Sequence, residues 1–83
     1  MTVRILYKAS VRRDLRKIDQ ANVKRLLREI KETLSEMPAR GQLLHGEFQG
    51  LRKLPVGDYR VIYTIPDGDV LVLRVRHRSK AYD

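Results

Sequence analysis

Cations placed two residues apart on short strands can converge on one phosphate, and the second half of this chain carries such a set. Lys53 and Arg60 stand on either side of a glycine turn in Leu51-Arg-Lys-Leu-Pro-Val-Gly-Asp-Tyr-Arg-Val-Ile-Tyr63. Arg78 lies in a basic tail, Arg74-Val-Arg-His-Arg-Ser-Lys-Ala-Tyr82, that closes on an aromatic ring. Strand residues at i and i+2 share a face, so a small sheet can hold such side chains at fixed spacing around an anion.

The whole chain leans the same way. Its 83 residues hold 18 lysines and arginines against 10 acids, a net charge of +8, which points to a polyanion or an acidic protein as partner; a merely solvated basic surface is the plainer alternative. With no cysteine, disulfides, thiolate metal sites and thiol catalysis are excluded, and a cytoplasmic location is the default expectation. Arg4 and Lys8 interrupt the N-terminus too soon for a signal peptide, and no apolar run reaches membrane-spanning length. Two histidines and scattered acids such as Asp67 and Asp69 form no ligand spacing, so neither metal nor cofactor is expected.

The elements that must position the cations are legible from periodicity. The length leaves room for one domain, residues 1–83. Val3, Ile5 and Tyr7 alternate with Arg4 and Leu6 as a short strand. Val11, Leu15 and Ile18 recur at helical steps from about Ser10, the expected cap, to Asp19, with arginines and Lys17 on the outer face. Val23, Leu26, Leu27, Ile30, Leu34 and Met37 make a continuous stripe on a second helix from about Gln20 to Glu36, ended by Pro38 and Gly41. The short link at Asp19 folds these two back as an antiparallel pair. Strands over about 47–56, 58–65 and 69–76 are separated by Val56-Gly57-Asp58 and Pro66-Asp67-Gly68, which implies an antiparallel meander. The predicted class is α+β, in the order β-α-α-β-β-β, with about four strands packed on a two-helix hairpin.

Side-chain parity sorts the strand residues into two faces. Tyr59, Val61, Tyr63 and Ile65, with Leu71, Leu73 and Val75, are assigned to the face under the helices. Arg60, Ile62 and Thr64, with Val70, Val72, Arg74, Arg76 and Arg78, fall on the other, joined by Lys53 if Leu54 points to the core. His77 then lies with Val75 on the helix side or serves as a structural hydrogen-bonding group at the strand end, and His45 is a loop residue.

Four pieces of this sequence together resemble the RelE/ParE superfamily of toxins from toxin–antitoxin pairs, and within it the RelE branch: the leading strand and helical hairpin, the Leu44-His-Gly46 loop, the Leu54-to-Tyr63 hairpin, and the Val75-to-Tyr82 tail. The resemblance spans essentially the whole chain. It implies a messenger-RNA endoribonuclease acting in the ribosomal decoding site, neutralised by a cognate acidic antitoxin, with ribosome and messenger RNA as further partners and no membrane. It further implies that Arg60 binds phosphate, that Arg78 stabilises or protonates at the cleaved phosphate, that Lys53 sits near the attacking hydroxyl, and that Tyr82 stacks on a nucleobase. Arg52, Arg74 and Arg76 become candidates for RNA or ribosome contacts. Pro55 and His45 stand where basic residues are frequent in the family.

Metal-free RNA cleavage by the 2′-hydroxyl needs a base for that proton, positive charge for the phosphorane and an acid for the leaving oxygen. Arginine keeps its proton near neutrality, which makes Arg60 and Arg78 electrostatic clamps first; lysine is the more tunable cation and the candidate base. A ParE-like, non-catalytic toxin directed at DNA gyrase is the principal alternative, and a plain RNA-binding module the next. For Arg12, Arg13, Arg16 and Arg25 a solvated helix face explains the charge as well as RNA does.

Overall fold

The structure, a computed structural model, describes residues 3–80; Tyr82 lies outside them. The described residues form two helices and one five-stranded sheet: β1 (Ile5–Tyr7), α1 (Ala9–Leu15), α2 (Gln20–Glu36), β2 (Gln42–Leu43), β3 (Arg52–Val56), β4 (Tyr59–Thr64) and β5 (Val70–His77), with single 3-10 turns at Pro38–Arg40, Gly46–Phe48 and Arg78–Lys80. The α+β class and the element order agree with the sequence reading; the sheet gains a strand because two residues, Gln42 and Leu43, pair with Lys53 and Arg52.

Helix α2 begins and ends where its residues dictate. Asp19 is extended (ψ 153°) and its carboxylate accepts the Asn22 amide at 3.2 Å, a side-chain cap on an otherwise orphaned donor. Leu26, Ile30 and Leu34 are fully buried, whereas Met37, expected in the stripe, is 57% exposed beyond the last turn. Helix α1 is shorter than its periodicity suggests. The extended backbone that Asp19 needs as a cap ends it early, and the amides of Lys17 and Ile18 close a tighter turn onto Asp14 and Leu15. Ser10 is not the cap: Lys8 takes that position, with no side-chain cap bond, and Ser10 lies inside the helix.

The sheet order is β1-β5-β4-β3-β2, antiparallel except for β1, which runs parallel to β5 along the pairs Ile5 with Val70 and Tyr7 with Val72. β3 starts at Arg52 rather than near Glu47 because residues 46–48 wind into a 3-10 turn. The β3–β4 connection is a two-residue loop, Gly57-Asp58. The φ of Gly57 is +59°, the left-handed value such a loop demands at its first central residue and glycine adopts without steric cost.

One irregularity redistributes β5. Tyr63 pairs with Val72 but Ile62 pairs with Arg74, so Leu73 is an extra residue, a β-bulge that reverses parity along the strand. Val70 and Val72 before it and Val75 after it are the buried residues, with Val61, Tyr63, Leu54 and Val56 from the neighbouring strands. The expected core positions Leu71 and Leu73 are only half-buried, and Val70 and Val72, expected on the open face, are in the core. On the far side of the bulge the expected parity holds, so Arg74 and Arg76 remain opposite Ile62 and Arg60.

A second close approach fixes the strand-to-helix layer. The buried Tyr63 hydroxyl donates to Pro38 O at 2.6 Å and accepts the Gly41 amide at 2.8 Å. A Cβ at Gly41 would fall 2.6 Å from that hydroxyl, which explains a glycine there although its φ is an ordinary −68°.

Candidate functional site

Cross-strand partners share a face, so the register places Lys53 and Ile62, Pro55 and Arg60, and Arg60 and Arg76 together on the side of the sheet away from the buried valines. Lys53 and Arg60 are diagonal neighbours, roughly 7–8 Å apart in an antiparallel ladder. Arg60 sits between an exposed Pro55 and a half-buried Arg76. Like charges directly opposite each other destabilise a sheet, and an anion lodged between them removes that repulsion.

Arg78 opens the 3-10 turn that follows β5. Its amide donates to Asp58 O at 2.8 Å, which docks the tail on the β3–β4 loop. Its guanidinium Nε is 4.0 Å from the Asp58 carboxylate, both groups about two-thirds exposed, so this ion pair is too weak to hold the side chain. The geometry thus gathers Arg60, Arg76 and Arg78 at the hairpin end of the sheet, with Lys53 one diagonal step along β3.

Two of the sequence candidates are committed elsewhere. Arg52 donates from one guanidinium nitrogen to Ala39 O at 3.2 Å and Gly41 O at 2.9 Å, which ties β3 to the turn after α2. Arg74 meets Asp14 through two parallel bonds of 2.9 Å, from Nε and from a terminal nitrogen. His77 does lie on the helix side: it faces Tyr59 across the ladder, edge to face at 5.4 Å. Its Nδ1 accepts the Ser79 amide at 3.3 Å and meets the Ser79 hydroxyl at 2.9 Å.

Asp14 escaped the sequence reading. It is the buried acid of the described residues, 8% exposed, and besides Arg74 it accepts the Val75 amide at 2.9 Å. Burial raises the affinity of this carboxyl for a proton, but the hydrogen bonds from Arg74 and Val75 and the charges of Arg74 and Arg76 outweigh that and hold it below the usual carboxylate range. Ser10, one helical turn earlier, donates to Leu73 O at 2.6 Å. The signal was present: Asp14 is three residues from Val11 and next to Leu15, an acid on the apolar side of a basic helix.

The arrangement can hold a phosphate by charge, with a lysine beside it. Among the described residues no three histidine or acidic side chains come together as a metal site, and no helix is long and apolar enough to cross a membrane.

No curated protein sequence matches this chain. Among solved structures, a chain of the toxin–antitoxin complex RelBE2 from Mycobacterium tuberculosis is similar at 30% identity, over 96% of this chain and 95% of that one, with a TM-score of 0.87. A chain of the archaeal RelE–RelB complex from Pyrococcus horikoshii follows at 28% identity, 98% and 100% coverage and a TM-score of 0.70. A chain of the chromosomal ParDE system of P. aeruginosa shares the fold at 13% identity, over 90% of this chain and 95% of that one, with a TM-score of 0.75. The family model described as the ParE toxin of the type II toxin–antitoxin system parDE matches residues 5–82, all five strands and both helices, and with it this chain belongs to the RelE/ParE superfamily of type II toxins.

Proposed function

We propose that this toxin is a ribosome-dependent endoribonuclease, acting as one domain over residues 1–83, that cuts messenger RNA in the decoding site and so arrests translation. The observation that carries the reading is the rung of Arg60 and Arg76, a like-charge pair with Lys53 beside it and Arg78 at its end. Such a cluster is suited to neutralising the extra negative charge of a phosphorane.

In this mechanism Lys53 is the group that takes the proton of the RNA 2′-hydroxyl. The 2′-oxygen forms a bond to phosphorus, the bond from phosphorus to the 5′-oxygen breaks, and the leaving oxygen takes its proton from solvent water while Arg78 stabilises its charge. The products are a 2′,3′-cyclic phosphate and a 5′-hydroxyl. Arg60 and Arg78 hold the non-bridging oxygens, Tyr82 stacks on a base, and Arg76 adds charge at the adjoining rung. Two structural relatives are toxin–antitoxin complexes, and a net charge of +8 suits an acidic, amphipathic antitoxin as the partner that silences the site.

A second reading has its own support, since the matching family model is that of ParE: a non-catalytic toxin that inhibits DNA gyrase. The two separate in one comparison. Primer extension on a defined message in a purified translation system should show cuts within codons that require ribosomes and disappear in Arg60→Ala and Arg78→Ala. An intact message together with inhibited gyrase supercoiling would replace the nuclease with the gyrase toxin.

A further inference from the structure

The outer edge of β5 is served by β1 only as far as Val72. Val70 donates to Arg4 O at 2.9 Å and the Lys8 amide donates to Val72 O at 3.0 Å, after which the chain leaves β1 for α1. Beyond that point β5 has no strand on this side among the described residues, and the bulge at Leu73 sits at the start of that stretch. Backbone groups left open at such a place need other partners. Ser10 and Asp14, four residues apart and therefore on one face of α1, supply them: the Ser10 hydroxyl takes Leu73 O, and the Asp14 carboxylate takes the Val75 amide. Two side chains continue the ladder that the missing strand would have made.

We propose that Ser10 and Asp14 are positioning residues, which hold the second half of β5 and thereby set where Arg76 and Arg78 stand relative to Arg60. The inference rests on the reading of this cationic face as the working site. Were Leu73 paired in regular register instead of bulged, Arg74 and Arg76 would stand opposite Val61 and Tyr59, and Val75 would be on the open face. The bulge is what brings Arg76 to the rung of Arg60. Asp14 holds that rung in two ways: it anchors the amide of Val75, next to it, and its carboxylate lies in the field of Arg76 as well as Arg74. Arg74 neutralises the buried charge that does this, which is why it is committed to Asp14 rather than available to RNA.

The full-length chain tests this with Ser10→Ala, Asp14→Ala and Asp14→Asn, beside Ile30→Val as a control that weakens the core through α2 and touches neither clamp residue. Amide exchange and cross-strand contacts by NMR read the strand directly; the ribosomal cleavage assay reads its consequence. In Ser10→Ala and Asp14→Ala, exchange beyond residue 73 should quicken at least about tenfold and the contact between Arg60 and Arg76 should fade. Cleavage should drop by about 10- to 100-fold in kcat with KM little changed, the signature of misplaced groups. Asp14→Asn keeps an oxygen for the Val75 amide and should recover part of both. Ile30→Val should lower the melting temperature and change neither. Parental exchange and an intact Arg60 to Arg76 contact in Ser10→Ala and Asp14→Ala would overturn the proposal. Should Asp14→Ala not fold, Ser10→Ala and Asp14→Asn decide by the same readouts. A parent chain that cuts no message would sink the nuclease reading alone, since exchange in β5 still decides whether the clamp exists.

Discussion

Two guanidinium groups on facing positions of adjacent strands repel, and Arg60 and Arg76 occupy such positions. Replacing Arg76 by threonine, a good strand former, should lower message cleavage while leaving the fold intact; primer extension and thermal melts on the same preparation check both. Asp14 gives the opposite case, an acid whose partners stabilise its charged form. Because its native pKa is depressed, it contributes stability that is fully present above the unfolded value and is lost as pH falls through the native one. The melting temperatures of the parent and Asp14→Asn should differ most near neutrality and converge as pH drops below about 4, the ordinary carboxylate value. Melts of the two chains across that range would show it. Neither residue's importance could be weighed from the sequence in the same way: Arg60 stands in a hairpin whose turn announces itself, whereas Asp14 shows its role only once the bulge beside it is known.

Elements were legible in proportion to the number of residues that vote for them. Seventeen residues of α2 share one periodicity, a capping aspartate and a terminating proline, and its bounds are those the sequence implies. The Gly57 turn has an equally local cause. β2 is two residues long, too short for any pattern, and the bulge at Leu73 leaves no trace in composition because leucine suits either face. One extra residue thus exchanged Val70 and Val72 for Leu71 and Leu73 in the core without disturbing the strand's existence or direction. At this scale the contact of Gly41 with Tyr63 joins the helix layer to the sheet. Gly41→Ala should cost about 1–3 kcal/mol by forcing the hydroxyl aside. Tyr63→Phe should cost about 1–3 kcal/mol through the unpaired Pro38 carbonyl and Gly41 amide. Denaturant midpoints at constant slope would measure both, and a double variant far short of additive would confirm that they share one contact.

For the whole molecule, an excess of eight positive charges makes association with RNA a matter of counterions. Binding to a single-stranded RNA should weaken steeply with salt, the logarithmic slope being about −0.7 per phosphate neutralised. Arg60→Ala should reduce that slope by about one contact, and Arg74→Met should leave it unchanged because that guanidinium is already paired; titrations at several salt concentrations separate the two. The overall fold was visible early because strand, helical hairpin and meander occur in a fixed order, while the neighbour of β1 was not, since a parallel pairing between the two ends of a chain leaves no local mark. That pairing joins Arg4 to Asp69, residues 65 apart, and closes the sheet with its earliest and latest strands. During synthesis β1 must therefore wait, unpaired, until β5 has been made, and the face built on β4 and β5 cannot exist in any shorter nascent chain. On the proposed ribosomal reading, a toxin assembled in this order stays harmless to the machine that is making it until the last strand is finished.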